Sequence, residues 1–207
     1  MKIVAIVQAR MGSTRLPNKV MMKINGAPMI ELLFNRLSKS KNINQVVLAT
    51  SNNENNIPLI EHVKNLGYKV FSGDENNVLD RYFHAAKLFE ADTIVRITGD
   101  CPLVDSTLVD EVIKGFVDTN SDYASNREPP TYPDGLDVEV ILIKALEDAQ
   151  KNAQEVFQRE HVTPYIINSE VYKKFYLKNS KDLSAERWTV DEPEDFNVVQ
   201  NIFNFFH

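Results

Sequence analysis

The sequence predicts a single α/β domain of three layers, a mainly parallel sheet with helices on both faces. Three observations carry that expectation. Short apolar runs alternate with helical stretches about ten residues long through the N-terminal part of the chain, the pattern of successive βαβ crossovers. The first run, Ile3 to Val7, is unbroken rather than alternating, as in a strand covered on both faces. At 207 residues the chain can bury one sizeable core, and 43% hydrophobic with 25% charged residues excludes disorder, collagen and coiled coil.

Each element follows in order. The Ile3 to Val7 strand opens directly into the polar loop QARMGSTRLPNK. After an Asn25-Gly26 turn, Met29, Leu32, Leu33 and Leu37 recur at helical spacing with Pro28 at the first turn. Val46 to Ala49 reads as a strand, Ile57 to Leu66 as a helix, and Lys69 to Phe71 as a short strand. Val78, Leu79, Tyr82, Phe83 and Ala86 mark the next helix, Thr93 to Thr98 the next strand and Leu108 to Val117 a further helix. Ser125 to Gly135, with three prolines, is expected to be a mobile surface lid. Leu136 to Ile143 alternates as a strand, Tyr172 to Lys178 does so more briefly, and Phe157 to Ile167 and Phe196 to Phe206 have helical periodicity. No repeat or linker divides the chain, so residues 1–207 read as one domain.

Twenty-three Lys and Arg against 29 Asp and Glu leave a net charge of −6, which argues against a nucleic-acid partner yet permits a local phosphate pocket. Cys101 is alone and cannot form an internal disulfide, and the apolar run of MKIVAIVQAR ends after five residues. Both features point to an unexported, cytoplasmic chain. No stretch is long and apolar enough to span a membrane.

The loop after the first strand carries Arg10, Arg15 and Lys19 around Gly12, Ser13 and Thr14. Small residues let backbone N–H groups approach phosphate oxygens while the cations neutralise them. The loop is neither a Walker A motif nor GxGxxG, and by spacing alone a solvated basic loop is an equal alternative. Asp100 ends a strand in Gly99-Asp100-Cys101-Pro102, where its carboxylate reaches the ligand edge of the sheet or merely sits in a turn. Asp191 precedes Pro193 and Glu194 and reads as a helix cap. Asp137 and Glu139, two apart in a strand, share one side while Val138 and Val140 face the core.

Residues Gln8 to Ile30, QARMGSTRLPNKVMMKINGAPMI, resemble the N-terminal signature of cytidylyltransferases acting on 3-deoxy-manno-octulosonate and acylneuraminates, most closely their spore-coat-polysaccharide branch. RITGDCPLVD from Arg96, YPDGLDVEV from Tyr132, REHVTPYI from Arg159 and RWTVDEPEDF from Arg187 are similar to that branch in the same order. The resemblance implies a GT-A-like nucleotidyltransferase fold, with a nucleotide-binding half at about 1–120 and an acceptor-binding half at about 121–207. It implies transfer of CMP from CTP to a sugar acid, release of pyrophosphate, Mg2+ as cofactor, and a place in cell-surface polysaccharide or glycan synthesis. Arg10, Ser13, Arg15 and Lys19 then grip the triphosphate, with Ala9 and Arg10 offering backbone near the base. Ser72, Gly73 and Arg81 fall where the family reads cytosine, and Asp100 and Asp191 where it holds magnesium. Arg10, Lys19, Asp100 and Asp191 form the implied catalytic set.

Asp137 and Glu139 suit acceptor hydroxyl or amino groups. Arg159 and His161, followed by Arg127 and Arg187, are the candidates for the acceptor carboxylate. The chain lacks the inserted arm by which some members dimerise, so a homodimer is possible but not implied. A sugar-1-phosphate nucleotidyltransferase using another nucleotide and a non-catalytic nucleotide-binding subunit stay open as alternatives. Asp100 and Asp105 are too far apart for the Asp-x-Asp motif of a glycosyltransferase.

Overall fold

The computed structural model describes residues 1–206. Along the chain, β1 (Ile3–Gln8) leads through a cation-rich loop to a small hairpin, β2 (Lys23–Ile24) and β3 (Ala27–Pro28), then α1 (Met29–Leu37) and β4 (Gln45–Ser51). Next come α2 (Ile57–Asn65), β5 (Lys69–Gly73), α3 (Val78–Leu88), β6 (Thr93–Thr98) and α4 (Ser106–Thr119). The remaining elements are β7 (Tyr123–Ser125), β8 (Glu139–Leu142), α5 (Ile143–Asn152), α6 (Val156–His161), α7 (Pro164–Ile167), β9 (Lys174–Tyr176) and α8 (Pro193–Phe206).

Seven strands form one sheet in the order β5-β4-β1-β6-β8-β7-β9. β8 runs against both of its neighbours, and the other six share one direction. Side chains alternate across β1. Ile3, Ala5 and Val7 pack with Leu33 and Phe34 of α1, Leu59 and Val63 of α2, and Val109 and Ile113 of α4. Val4 and Ile6 pack on the opposite face with Leu79 and Tyr82 of α3 and Leu146 of α5. That division makes the three layers expected from the crossovers. A third, smaller cluster fastens Val199 and Phe203 of α8 to Ile24 and Met29 beside the hairpin.

The structure departs from the sequence expectation where the signal is short. β7 is three buried residues, too few to show a period. α5 buries Leu146 with only Ala145 and Ala149 beside it, a single large apolar residue that periodicity does not flag. The strand expected from Leu136 is confined to Glu139–Leu142, and the helix expected over 157–167 breaks into α6 and α7 at Val162, whose φ of 72° cannot continue a helix. The proline-rich loop is tied at its base. Asn126, 1% exposed, donates to the Leu136 carbonyl at 2.8 Å and accepts from the Val138 N–H at 2.8 Å.

Candidate active site

β1 lies between β4 and β6: the chain leaves β1 toward β4 and β5 and returns from β5 through α3 to β6 on its other side, and this reversal of strand order opens a crevice at the carboxyl ends of β1 and β6. Two chain segments enter it: residues 9–19 after β1, and Gly99-Asp100 after β6. The Gly99 N–H donates to the Gln8 carbonyl at 2.7 Å, and a Cβ on Gly99 would stand 2.6 Å from that of Ala9, so only glycine permits this approach. The loop curls on itself through the Met11 carbonyl, which accepts from the N–H groups of Ser13 at 2.9 Å and Asn18 at 3.0 Å. Asn18, at φ 61°, reverses the chain and sends Lys19 inward.

The Lys19 ammonium donates to the Val190 carbonyl at 2.7 Å, to Asp191 Oδ1 at 2.8 Å and to Asp100 Oδ2 at 3.3 Å. Asp191 also receives Arg15 at 2.9 Å and Arg187 at 2.8 Å. Burial alone would raise its carboxyl pKa, but Lys19, Arg187 and Arg15 hold it below the ordinary value. The backbone completes the arrangement, because the Val190 N–H donates to the Asp100 carbonyl at 2.9 Å. Two residues 91 positions apart in sequence are thus held around one cation-sized position.

Asp191 is not the cap of α8. Asp195 reaches back instead, accepting from the N–H groups of Asp191 and Glu192 at 2.9 Å each, which frees the Asp191 carboxylate. Two hard oxygen donors at a shared position fit magnesium, which takes one or two carboxylates and shares its remaining sites with phosphates and water. Among the described residues no group of three or more His, Cys, Asp and Glu side chains forms an all-protein metal cage.

Two cavities meet at this pair. The smaller, about 260 Å³, is lined by Gln8, Ala9, Arg10, Ser13, Arg15 and Lys19 together with Thr98, Asp100 and Asp191. The larger, about 620 Å³, extends from the same Thr98, Asp100 and Asp191 to Arg127, Asp137 and His161. In it Arg127 pairs with Asp137 at 2.9 Å, and burial raises the Asp137 carboxyl pKa against the pull of that arginine.

Glu139 borders the larger cavity but is fully engaged. Its Oε1 accepts from the hydroxyls of Tyr123 and Thr163 at 2.7 Å each, and Oε2 faces the Arg96 guanidinium, its antiparallel partner on β6. Its role is therefore to frame the cavity wall rather than to offer a free carboxylate to an acceptor. Arg159 lies outside the cavity lining and donates to the Gln150 carbonyl at 3.2 Å, whereas His161 lies inside it with its ring tilted against that of Phe157. Arg187 bridges Asp134 at 2.7 Å and Asp191, clamping the C-terminal segment to the proline-rich loop.

Ser72, Gly73 and Arg81 are not in the smaller cavity's lining. Arg81 is buried and donates to the carbonyls of Asp74 at 2.6 Å and Glu75 at 3.3 Å, bracing the loop from which Glu75 meets Arg10 at 2.9 Å. Sequence reasoning missed Arg96, Tyr123 and Thr163. A lone arginine in the apolar β6 run and a lone glutamate in Val138-Glu139-Val140 were the available signal, and only the antiparallel register brings them together.

The Cytidylyltransferase family model matches residues 4–197 of this chain. An uncharacterised protein of Methanocaldococcus jannaschii is 42% identical over 209 residues, covering 100% of this chain and 85% of the relative. The spore coat polysaccharide biosynthesis protein SpsF of Bacillus subtilis is 34% identical over 209 residues, covering 97% of this chain and 86% of the relative. Among solved structures, a cytidylyltransferase from Leptospira borgpetersenii serovar Hardjo-bovis superposes with a TM-score of 0.96 at 34% identity, covering 100% of this chain and 88% of that one.

Proposed function

The chain belongs to the cytidylyltransferase family, and on that premise we propose that it transfers CMP from CTP to a sugar acid of the 2-keto-3-deoxy type, with magnesium as cofactor. The product feeds cell-surface polysaccharide or glycan synthesis, a reading supported by the likeness to SpsF. One observation carries the proposal: the cation-lined cavity and the larger cavity share Thr98, Asp100 and Asp191. A triphosphate in the first and a hydroxylated acceptor in the second would meet at those carboxylates.

In the reaction an acceptor hydroxyl oxygen bonds to the α-phosphorus as the bond from that phosphorus to the bridging oxygen breaks. Pyrophosphate leaves with the electron pair, and the hydroxyl proton passes to solvent. Arg10, Arg15 and Lys19 line the donor cavity and supply positive charge where the phosphates gain negative charge. Arg127 lines the larger cavity and would meet the acceptor carboxylate, which would take the position of Asp137 on its guanidinium. Bound between Asp100 and Asp191, magnesium would neutralise phosphate charge and favour attack on phosphorus. Positioning and electrostatics account for the acceleration, and no covalent enzyme intermediate is required.

Thermal unfolding with magnesium and each of CTP, UTP, GTP and ATP tests the donor. A ligand at about 100 times its Kd adds ~2.7 kcal/mol, or several degrees for a domain of this size. The expected result is a shift with CTP alone that disappears in chelator, followed by pyrophosphate release with a sugar-acid panel. Equal shifts for all four nucleotides, or a purine preference, would overturn the reading.

A further inference from the structure

The position between Asp100 and Asp191 is filled by a cation of the chain itself. Lys19 is 8% exposed, and its ammonium meets three acceptors, Val190 O, Asp191 Oδ1 and Asp100 Oδ2, which match its three protons. Arg15 and Arg187 also touch Asp191, but among the described residues Lys19 alone joins both carboxylates. We infer that Lys19 is an interlock: it keeps a divalent cation out of the nucleotide-free site and yields the position only when a polyphosphate gives its ammonium another partner. The inference rests on Asp100 and Asp191 being the metal-holding pair of the proposed function.

A divalent ion on these carboxylate oxygens and an ammonium within hydrogen-bond distance of the same oxygens would repel at short range. Lys19 does not vacate the position on its own, because a buried ammonium without partners is costly. It does have somewhere to go, since the same side chain lines the smaller cavity beside Arg10, Ser13 and Arg15. A polyphosphate bound there would stand beside its flexible four-carbon stem, so the ammonium could exchange carboxylates for phosphate while the divalent ion takes its place. The exchange replaces one positive charge on two carboxylates by the two of a divalent ion, while the ammonium charge passes to the phosphate. By linkage, nucleotide and divalent cation then bind together, each favouring the other by the same factor.

The test is an electron paramagnetic resonance titration of free Mn2+ against nucleotide-free protein, with circular dichroism as a check on folding. Wild type should bind Mn2+ weakly, and Lys19→Met at least tenfold more tightly, with the gain lost again in Lys19→Met/Asp100→Asn. Lys19→Gln, which keeps polar donors for the carboxylates, should show a smaller gain and serves where Lys19→Met does not fold. Tight Mn2+ binding by nucleotide-free wild type would overturn the interlock. So would variants that bind no better than wild type while wild type still shows a metal-dependent CTP shift, an outcome that leaves the proposed function standing. Loss of that CTP shift in wild type as well would overturn both.

Discussion

Asp100→Asn is expected to reduce cytidyl transfer at least ~10³-fold, about 4 kcal/mol of transition-state stabilisation, while the protein stays folded. The separation of effects follows from the side chain's few contacts. Its carboxylate meets the Lys19 ammonium at 3.3 Å and the Cys101 thiol at 3.5 Å, and asparagine retains the shape. The structural tie at this residue is made by the backbone, whose carbonyl accepts from the Val190 N–H, and the substitution leaves that bond intact. Lost is a full negative charge at the junction of the two cavities, where a cation shared with the phosphates would be held. Pyrophosphate release measured beside a thermal melt checks both halves, and full activity in the variant would remove Asp100 from the site. Asp191→Asn should cost more stability, because Asp191 holds Lys19, Arg15 and Arg187 at once.

The largest loss of stability is expected at Glu139→Ala, about 3–5 kcal/mol by urea unfolding, the range for breaking a buried ion pair from one side. Four groups turn on this carboxylate: the Tyr123 and Thr163 hydroxyls, the Arg96 guanidinium and, at 3.7 Å, Arg127. Glu139 is 1% exposed, and the Nε of Arg96 already lacks a partner, so truncation would leave a buried guanidinium without the carboxylate it pairs with. Glu139→Gln keeps the volume and should lose less.

The pH dependence has a definite sign. Burial pushes the Glu139 carboxyl up, but Arg96, Arg127 and the two hydroxyls outweigh it and hold the folded-state pKa below the ordinary 4.5. Its contribution is therefore present above pH 4.5 and lost as pH falls through the lower folded-state value. The urea midpoint difference between wild type and Glu139→Gln should narrow over that acidic range. A Glu139→Ala loss under 1 kcal/mol would show that the cavity wall does not depend on this network.

The layered, mainly parallel fold was legible in the residues alone, because unbroken apolar strands and ten-residue amphipathic helices are local patterns. The sequence also marked the loop that lines the smaller cavity, since Arg10, Arg15 and Lys19 lie within ten residues of one another after a strand. Tertiary structure decided what distance along the chain concealed. Asp191 reads locally as a cap, and only the folded α8 shows Asp195 in that role. Asp137 and Glu139 read as an equivalent pair, but the antiparallel entry of β8 sets Glu139 against Arg96 and leaves Asp137 with Arg127 at the cavity. The Lys19 bridge between Asp100 and Asp191 was equally hidden. Alternation along a strand fixes which face a side chain takes, whereas its partner depends on strand order and register, which are settled by packing across the whole sheet.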